Sequence, residues 1–185
     1  MDAASAAELA DFFGEETRYD ELVLALSGGA GGGAFASLDL DQLRTGFEGK
    51  FWAHLRILRA ALPRLRPDGS VTFVTAASAR AALPGTAGLA AINGALEAMV
   101  RPLAVELAPL RVNAVSPGIV DTPWWDGLPA EQREALFAEH ANALPVGRVG
   151  RPEDVASAVL LTAVNGFMTG SVVECAGGVR LGTAA

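Results

Sequence analysis

Three residue types are almost missing from this chain of 185 residues: it has one cysteine (Cys175), one lysine (Lys50) and one tyrosine (Tyr19). A single thiol makes neither an internal disulfide nor a cysteine-rich metal site. No grouping of His, Asp, Glu and Cys has metal-ligand spacing, so no metal is expected. No apolar run approaches the ~18 residues of a membrane span. Met1-Asp2 opens no basic leader, and a reducing, cytoplasmic setting is the expectation. Charge is sparse and negative, with 19% charged residues and a net charge of −7. Nucleic-acid binders carry the opposite footprint, so neither nucleic acid nor a membrane is an expected partner. Apolar residues make up 51% of the chain, which excludes disorder. A chain of this size buries roughly 70% of its unfolded surface as a single domain, 1–185.

Helical and extended patterns alternate, as in an α/β sheet with crossover helices. Ser5-Ala6-Ala7-Glu8 reads as a capping box opening a helix over 5–17. Glu21–Ser27 is a short apolar run that suits a strand buried on both faces. Asp39 is placed to cap a helix over about 40–62 with apolar Leu43, Phe47, Phe51, Leu55, Leu58 and Leu62. Arg64–Gly69 reads as a loop and Ser70–Ala76 as a second strand. Leu89, Ile92, Leu96, Met99, Leu103 and Leu107 define a helix over 87–108. Arg111–Ser116 is a third strand, 130–142 a helix, Pro152 to about Val164 a helix with proline in its first turn, and Gly170–Ala176 a fourth strand.

The run Gly28-Gly29-Ala30-Gly31-Gly32-Gly33-Ala34 follows a strand and contains G-x-G-x-x-A. A pyrophosphate site needs the last small residue to open a helix whose N–H groups receive the phosphates. Here the next helix starts only near Leu40. The acidic residue expected about 20 positions on falls at Glu48, inside a helix. A Gly-rich loop beside a cleft is the preferred reading.

From Arg111 onward the motifs Arg111-Val112-Asn113-Ala114-Val115-Ser116-Pro117-Gly118, then Thr122, Arg148-Val149-Gly150-Arg151-Pro152-Glu153-Asp154-Val155-Ala156, Thr169-Gly170 and Gly177-Gly178 follow in order. Together they strongly resemble the short-chain dehydrogenase/reductase family. Asn93–Glu106 resembles the helix after that family's catalytic tyrosine, and Asp20–Val23 the start of its fourth strand. The implied fold is a truncated Rossmann-like parallel sheet, about strands 4–7 of the family's fold, with helices on both faces. The resemblance implies that two βα units and a third strand, about 60–70 residues, precede the matching part. Those carry the family's phosphate turn and ribose selector. It leaves strand 4 at an open edge, a pairing hazard unless covered.

The family's chemistry uses a serine, a tyrosine and a lysine four residues after the tyrosine. Aligned on Leu83-Pro84-Gly85 and the following helix, Leu89 stands at the tyrosine position and Asn93 at the lysine position. The serine position falls at Ala76 or Ala77, with Ser78 just beyond. Leu89 donates no proton, so Ser-Tyr-Lys catalysis is not supported. At the family's helix asparagine stands Lys50, with His54 one turn on. Lys50-Phe51-Trp52 and Ala91-Ile92-Asn93 are similar to a divergent branch of the family. Two readings of Lys50 remain open: a cleft-facing amine with depressed pKa, or a snorkelling lysine at a helix edge.

The candidate catalytic residues are therefore Lys50, His54, Ser78 and Asn93. Pro117, Gly118, Ile119 and Thr122 match the family's nicotinamide contacts and are expected to be vestigial. Ser27, Phe35, Trp124 and Trp125 are candidate pocket residues, the tryptophans either lining it or buried under a loop. The leading expectation is a cofactor-independent isomerase, dehydratase or cyclase acting on a small apolar ligand. NAD(P) enters by resemblance only. The alternatives are a non-catalytic subunit that completes a partner, and a fragment of a longer oxidoreductase. Self-association through the helices at 40–62 and 87–108, or a partner on the strand-4 edge, is expected.

Overall fold

The computed structural model describes residues 3, 5–14 and 16–181. Four parallel strands, β1 (Tyr19–Leu24), β2 (Leu65–Val74), β3 (Arg111–Pro117) and β4 (Val172–Cys175), lie side by side in chain order. Among the described residues the α-helices are α1 (Ala6–Phe13), α2 (Leu40–Gly46), α3 (Ala53–Ala61), α4 (Ala87–Glu106), α5 (Ala130–Ala143) and α6 (Pro152–Val164). The fold class matches the expectation from sequence.

Alternation along β2 sorts the two faces. Val71 and Phe73 are fully buried in a cluster with Ile57 and Leu58 of α3, Leu96 and Val100 of α4, and Leu9 and Phe13 of α1. Thr72 points the other way, where its hydroxyl meets that of Thr162 on α6 at 3.0 Å. Arg111 closes the end of α6: its guanidinium donates to the carbonyls of Thr162, Ala163 and Asn165. Those are the carbonyls that a helix C-terminus leaves without partners.

Local chemistry explains most boundaries. The Ser5 hydroxyl accepts from Glu8 N–H at 3.2 Å, and Asp39 Oδ1 accepts from Asp41 and Gln42 N–H. Helix α1 ends at Phe13 rather than near 17 because Gly14 turns to φ +48°. The reading of Arg64–Gly69 as a loop is corrected: these residues lie largely in β2, which bulges between the pairs Tyr19–Leu65 and Glu21–Ser70. A Cβ at Gly69 would collide with the Asp20 carbonyl, so glycine is required there. Strand β1 is not buried on both faces. It is an edge, with Leu24 buried and Val23 exposed.

The stretch from 40 to 61 stays helical throughout, but Phe47–Trp52 forms a π-helical segment between α2 and α3. The loop at 28–33 is seated between this helix and α4. A side chain at Gly46 would strike the Ala30 carbonyl, and one at Gly88 the Gly31 carbonyl. Both helices thus need glycine where the loop's main chain touches them.

Gly88→Ala is expected to destabilise the chain by about 1–3 kcal/mol in chemical denaturation, because the loop backbone must move. Gly94→Ala, in the same helix with open space around its Cβ, is expected to stabilise by about 0.5–1 kcal/mol.

Candidate active site

Three loops meet at the C-terminal ends of adjacent strands: 25–34 after β1, 75–80 after β2 and 118–125 after β3. In open parallel sheets this end is where ligands bind.

Lys50 reaches this region from the π-helical segment, a distortion that recurs at functional sites. It is 8% exposed, and Nζ donates to the Thr75 carbonyl at 3.2 Å. Among the described residues no carboxylate pairs with it. Burial pushes its pKa down from 10.5 to about 8. The ammonium is therefore the main form at neutral pH, yet it gives up its proton far more readily than a solvated lysine. The buried placement, with Nζ turned inward onto Thr75, does not fit the snorkelling reading, in which the ammonium reaches water.

Behind Thr75 lies a polar network. Its hydroxyl donates to Glu97 Oε1 at 2.9 Å, and Arg80 Nε donates to Glu97 Oε2 at 2.6 Å. Arg80 also reaches Glu174 of β4, which Arg180 grips in turn. These contacts tie the end of β2 to α4 and β4. Thr75, Glu97 and Arg80 did not emerge from the sequence. The available signal was Glu97 on the apolar stripe of α4, one turn beyond Asn93.

Asn93 is buried, and its Nδ2 donates to the Leu89 carbonyl at 2.9 Å and to Ser78 Oγ at 3.3 Å. The structure thus joins Asn93 to Ser78, two of the expected site residues. With Oγ serving as acceptor, the Ser78 hydroxyl proton is free to point elsewhere. Asn93 Oδ1 has no partner, although it is buried. Leu89 lies beside the glycine loop, its Cδ1 3.6 Å from a Cβ placed on Gly32.

His54 does not share the cleft and is corrected to an internal role. It is fully buried and stacks on Phe73 with ring centroids 6.0 Å apart. Its ring nitrogens lie 2.7 and 3.1 Å from the carbonyls of Lys50 and Leu24. Burial lowers its pKa against the two carbonyls that favour a charged ring, and the Lys50 charge lowers it further. A neutral ring has one N–H, so only one of these contacts is a hydrogen bond. His54 braces the backbone that carries Lys50.

The expected pocket residues divide. Gly28 lies 3.6 Å from Lys50 Cβ, and Gly29 lies 3.9 Å from the Trp124 ring, both measured from an ideal Cβ. Trp124 stands half-exposed, perpendicular to Trp125 at 4.5 Å between centroids. Trp125 is anchored by its Nε1–H to the Val120 carbonyl at 2.9 Å. Ser27 is exposed, and Phe35 is 76% exposed on a short turn beyond the loop.

The 117–122 segment owes its shape to main-chain bonds. Gly118 N–H donates to Cys175, Gly150 N–H to Ile119 and Asp121 N–H to Gly150. Gly118 is pressed onto the Ala176 backbone, which leaves no room for a Cβ. The Ser116 hydroxyl, at the end of β3, is buried without a partner. The unpartnered Asn93 and Ser116 oxygens fit the hydroxyl- and amide-rich nicotinamide–ribose end of a dinucleotide. Lys50, Asn93, Pro117, Gly118, Ile119 and Thr122 are the residues that would hold that end. The glycine loop does not fit the pyrophosphate: it opens no helix, and its carbonyls at Ala30 and Gly31 face α2 and α4.

These features define a candidate ligand site at the open ends of the parallel sheet of an α/β fold. A profile of the family described as enoyl-(acyl carrier protein) reductase matches residues 1–180, and the chain belongs to the short-chain dehydrogenase/reductase family. The chain is similar to the short-chain dehydrogenase/reductase malC of Malbranchea aurantiaca, with 33% identity over 149 residues, covering 79% of this chain and 56% of that protein. A solved small-chain dehydrogenase in complex with NADPH superposes with a TM-score of 0.93 at 34% identity, over 98% of this chain and 83% of that one. An NADPH-bound short-chain oxidoreductase of Pseudomonas aeruginosa PAO1, described as containing an atypical catalytic centre, superposes with a TM-score of 0.82 at 25% identity, over 96% of this chain and 73% of that one. The chain spans about half the length of the curated relatives it matches.

The comparisons correct the leading functional expectation. The matching family and the relatives are described as dehydrogenases and reductases, and MalC as a reductase that is also a Diels-Alderase; none is described as a cofactor-independent isomerase or dehydratase. They favour the reading as part of an oxidoreductase. The expectation of no cofactor also loses its support, since solved relatives hold NADPH.

Because Lys50 is less basic folded than unfolded, the unfolded chain binds more protons between pH 8 and 10.5. Stability is therefore expected to rise with pH across that window, on the order of 3 kcal/mol. Lys50→Met is expected to remove this rise, checked by denaturation at both ends of the window.

Proposed function

We propose that this chain carries the substrate-binding and proton-donating portion of an NADPH-dependent carbonyl reductase in which Lys50 is the acid. The observation that carries the reading is the buried Lys50 ammonium, which among the described residues is held at the strand ends by one carbonyl and paired with no carboxylate. Leucine and asparagine stand where the family's tyrosine and lysine are expected, so Lys50 is the proton donor that remains. The solved relative with an atypical catalytic centre supports a departure from the usual set.

A nicotinamide cofactor, when bound, supplies hydride to a carbonyl carbon. The residues of this chain supply the rest. The Ser78 hydroxyl, positioned by Asn93, donates a hydrogen bond to the carbonyl oxygen and polarises it. The Lys50 ammonium donates its proton to the same oxygen as the alcohol forms, becomes a neutral amine and is reprotonated from water. Burial favours that release, because the neutral amine is the form the pocket prefers. Asn93 and the 117–122 segment hold the nicotinamide–ribose end. The pyrophosphate and adenosine have no cradle among the described residues, and we assign them to sequence outside this chain.

With NADPH or reduced nicotinamide mononucleotide and a panel of ketones, alcohol formation is expected to fall as pH rises through about 8. It is also expected to drop by about 10²–10⁴-fold in Lys50→Met. Turnover that is flat across this pH, Lys50→Met at full rate, or no reduction with either cofactor overturns the reading.

A further inference from the structure

We infer that the groove between α4 and β4 is a second binding site, with a phosphate-bearing small molecule as its ligand. The inference is independent of the reductase reading above. A cavity of about 620 Å³ opens there, lined by Glu97 and Arg101 of α4, by Arg80, and by Gly170–Val172 at the start of β4. That volume lies in the range of small-molecule sites. Its charges do not balance. Glu97 and Arg101 stand four residues apart on one face of α4, the spacing of a helical ion pair. They do not pair, because both Glu97 oxygens are taken. Oε1 accepts from the Thr75 hydroxyl and Oε2 from Arg80 Nε. Glu174 is likewise shared by Arg80 and Arg180. Arg101 is exposed, with no carboxylate partner among the described residues. Arg80, Arg101 and Arg180 thus stand against two carboxylates, an excess of positive charge on a chain whose net charge is −7.

The groups left over are donors. Arg80 commits Nε and Nη1 to carboxylates, which leaves Nη2. Arg101 keeps its whole guanidinium fork. The Ser171 hydroxyl has the Thr169 carbonyl 3.5 Å away, too far to hold it. Strand β4 is an edge of the sheet. The Ser171 carbonyl accepts from Ala114 N–H and the Cys175 carbonyl from Gly118 N–H. These residues therefore face β3, and Val172 between them turns its own N–H away from β3. Gly170, at φ +68°, seats this turn on α4, with an ideal Cβ 3.7 Å from Ala104 Cβ. Strand edge and helix thus face each other across the groove. Guanidinium groups beside the helix, and a hydroxyl and a main-chain N–H at the strand, suit an anion with acceptors in several directions. A tetrahedral phosphate offers that. A flat carboxylate presents two oxygens in one plane and is filled by one guanidinium fork. The cavity also has room for the organic group that bears the phosphate.

The test follows the backbone amides of the isotope-labelled chain by NMR during titration with inorganic phosphate, the ionic strength being held constant with chloride. Saturable shifts centred on Gly170, Ser171 and Val172 are expected, and none of them with chloride alone. Arg101→Gln is expected to weaken phosphate binding about tenfold or more. Arg59→Gln, which removes an exposed arginine on α3 outside the groove, is expected to leave it unchanged. Both arginines are exposed, so neither substitution disturbs the core. Succinate is expected to bind more weakly than phosphate, and Lys50→Met to bind phosphate as the parent chain does. Absence of saturable shifts at 170–172, or equal losses in the two arginine variants, overturns the inference, since only general surface charge would then attract the ion. Succinate binding as tightly as phosphate overturns the ligand class. Loss of phosphate binding in Lys50→Met places the ion at the buried amine and overturns the second site.

Discussion

A lysine ammonium buried without a counter-ion is among the costlier features a small domain can carry, and Lys50 is buried with none among the described residues. The Lys50 Nζ has a single described partner, the Thr75 carbonyl at the end of β2. That carbonyl is useful only if the strand end is rigid. Its rigidity comes from Glu97, which takes the Thr75 hydroxyl and is itself held by Arg80. On the other side, the π-helical segment presents Lys50, and the buried His54 ring braces the backbone there. The amine is thereby fixed in position and weakened as a base at the same time.

The glycines serve the same arrangement. Gly46 and Gly88 let the main chain of the glycine loop press against two helices at once. The loop is thereby packed in place between them. This is a different use of a glycine run from cradling phosphate. The next element of the chain tells the two uses apart: a helix N-terminus in one case, and here a short turn before α2.

The sequence conveyed the architecture well and the site partly. Strand and helix order, the Asp39 cap and the α6 span from Pro152 to Val164 could be read because each rests on local chemistry. Strand β2 reads too short in the sequence, since Pro67 and Gly69 suggest a loop when the partner strand is unseen. The sequence puts His54 beside Lys50 because helical spacing sets the two one turn apart. The π-helical segment and the depth of the core decide which way it faces. Glu97 is not legible in the sequence, because a carboxylate on an apolar stripe gains meaning only when Arg80 and Thr75 are brought to it from other elements. The choice between a cofactor-free enzyme and a reductase was not legible from vacant catalytic positions. It turned on kinship, together with a lysine whose burial no periodicity reveals.

Lys50 is the chain's only lysine, so a single isotope-labelled lysine side chain reports on it with no overlap. An NMR titration of that side chain in the folded protein therefore reads the buried amine itself. One transition centred near pH 8 is expected, moving to the ordinary lysine range on unfolding. A transition at the ordinary lysine value of 10.5 in the folded chain would contradict the buried, proton-donating role, since the amine would then be solvated and no better a proton donor than any surface lysine.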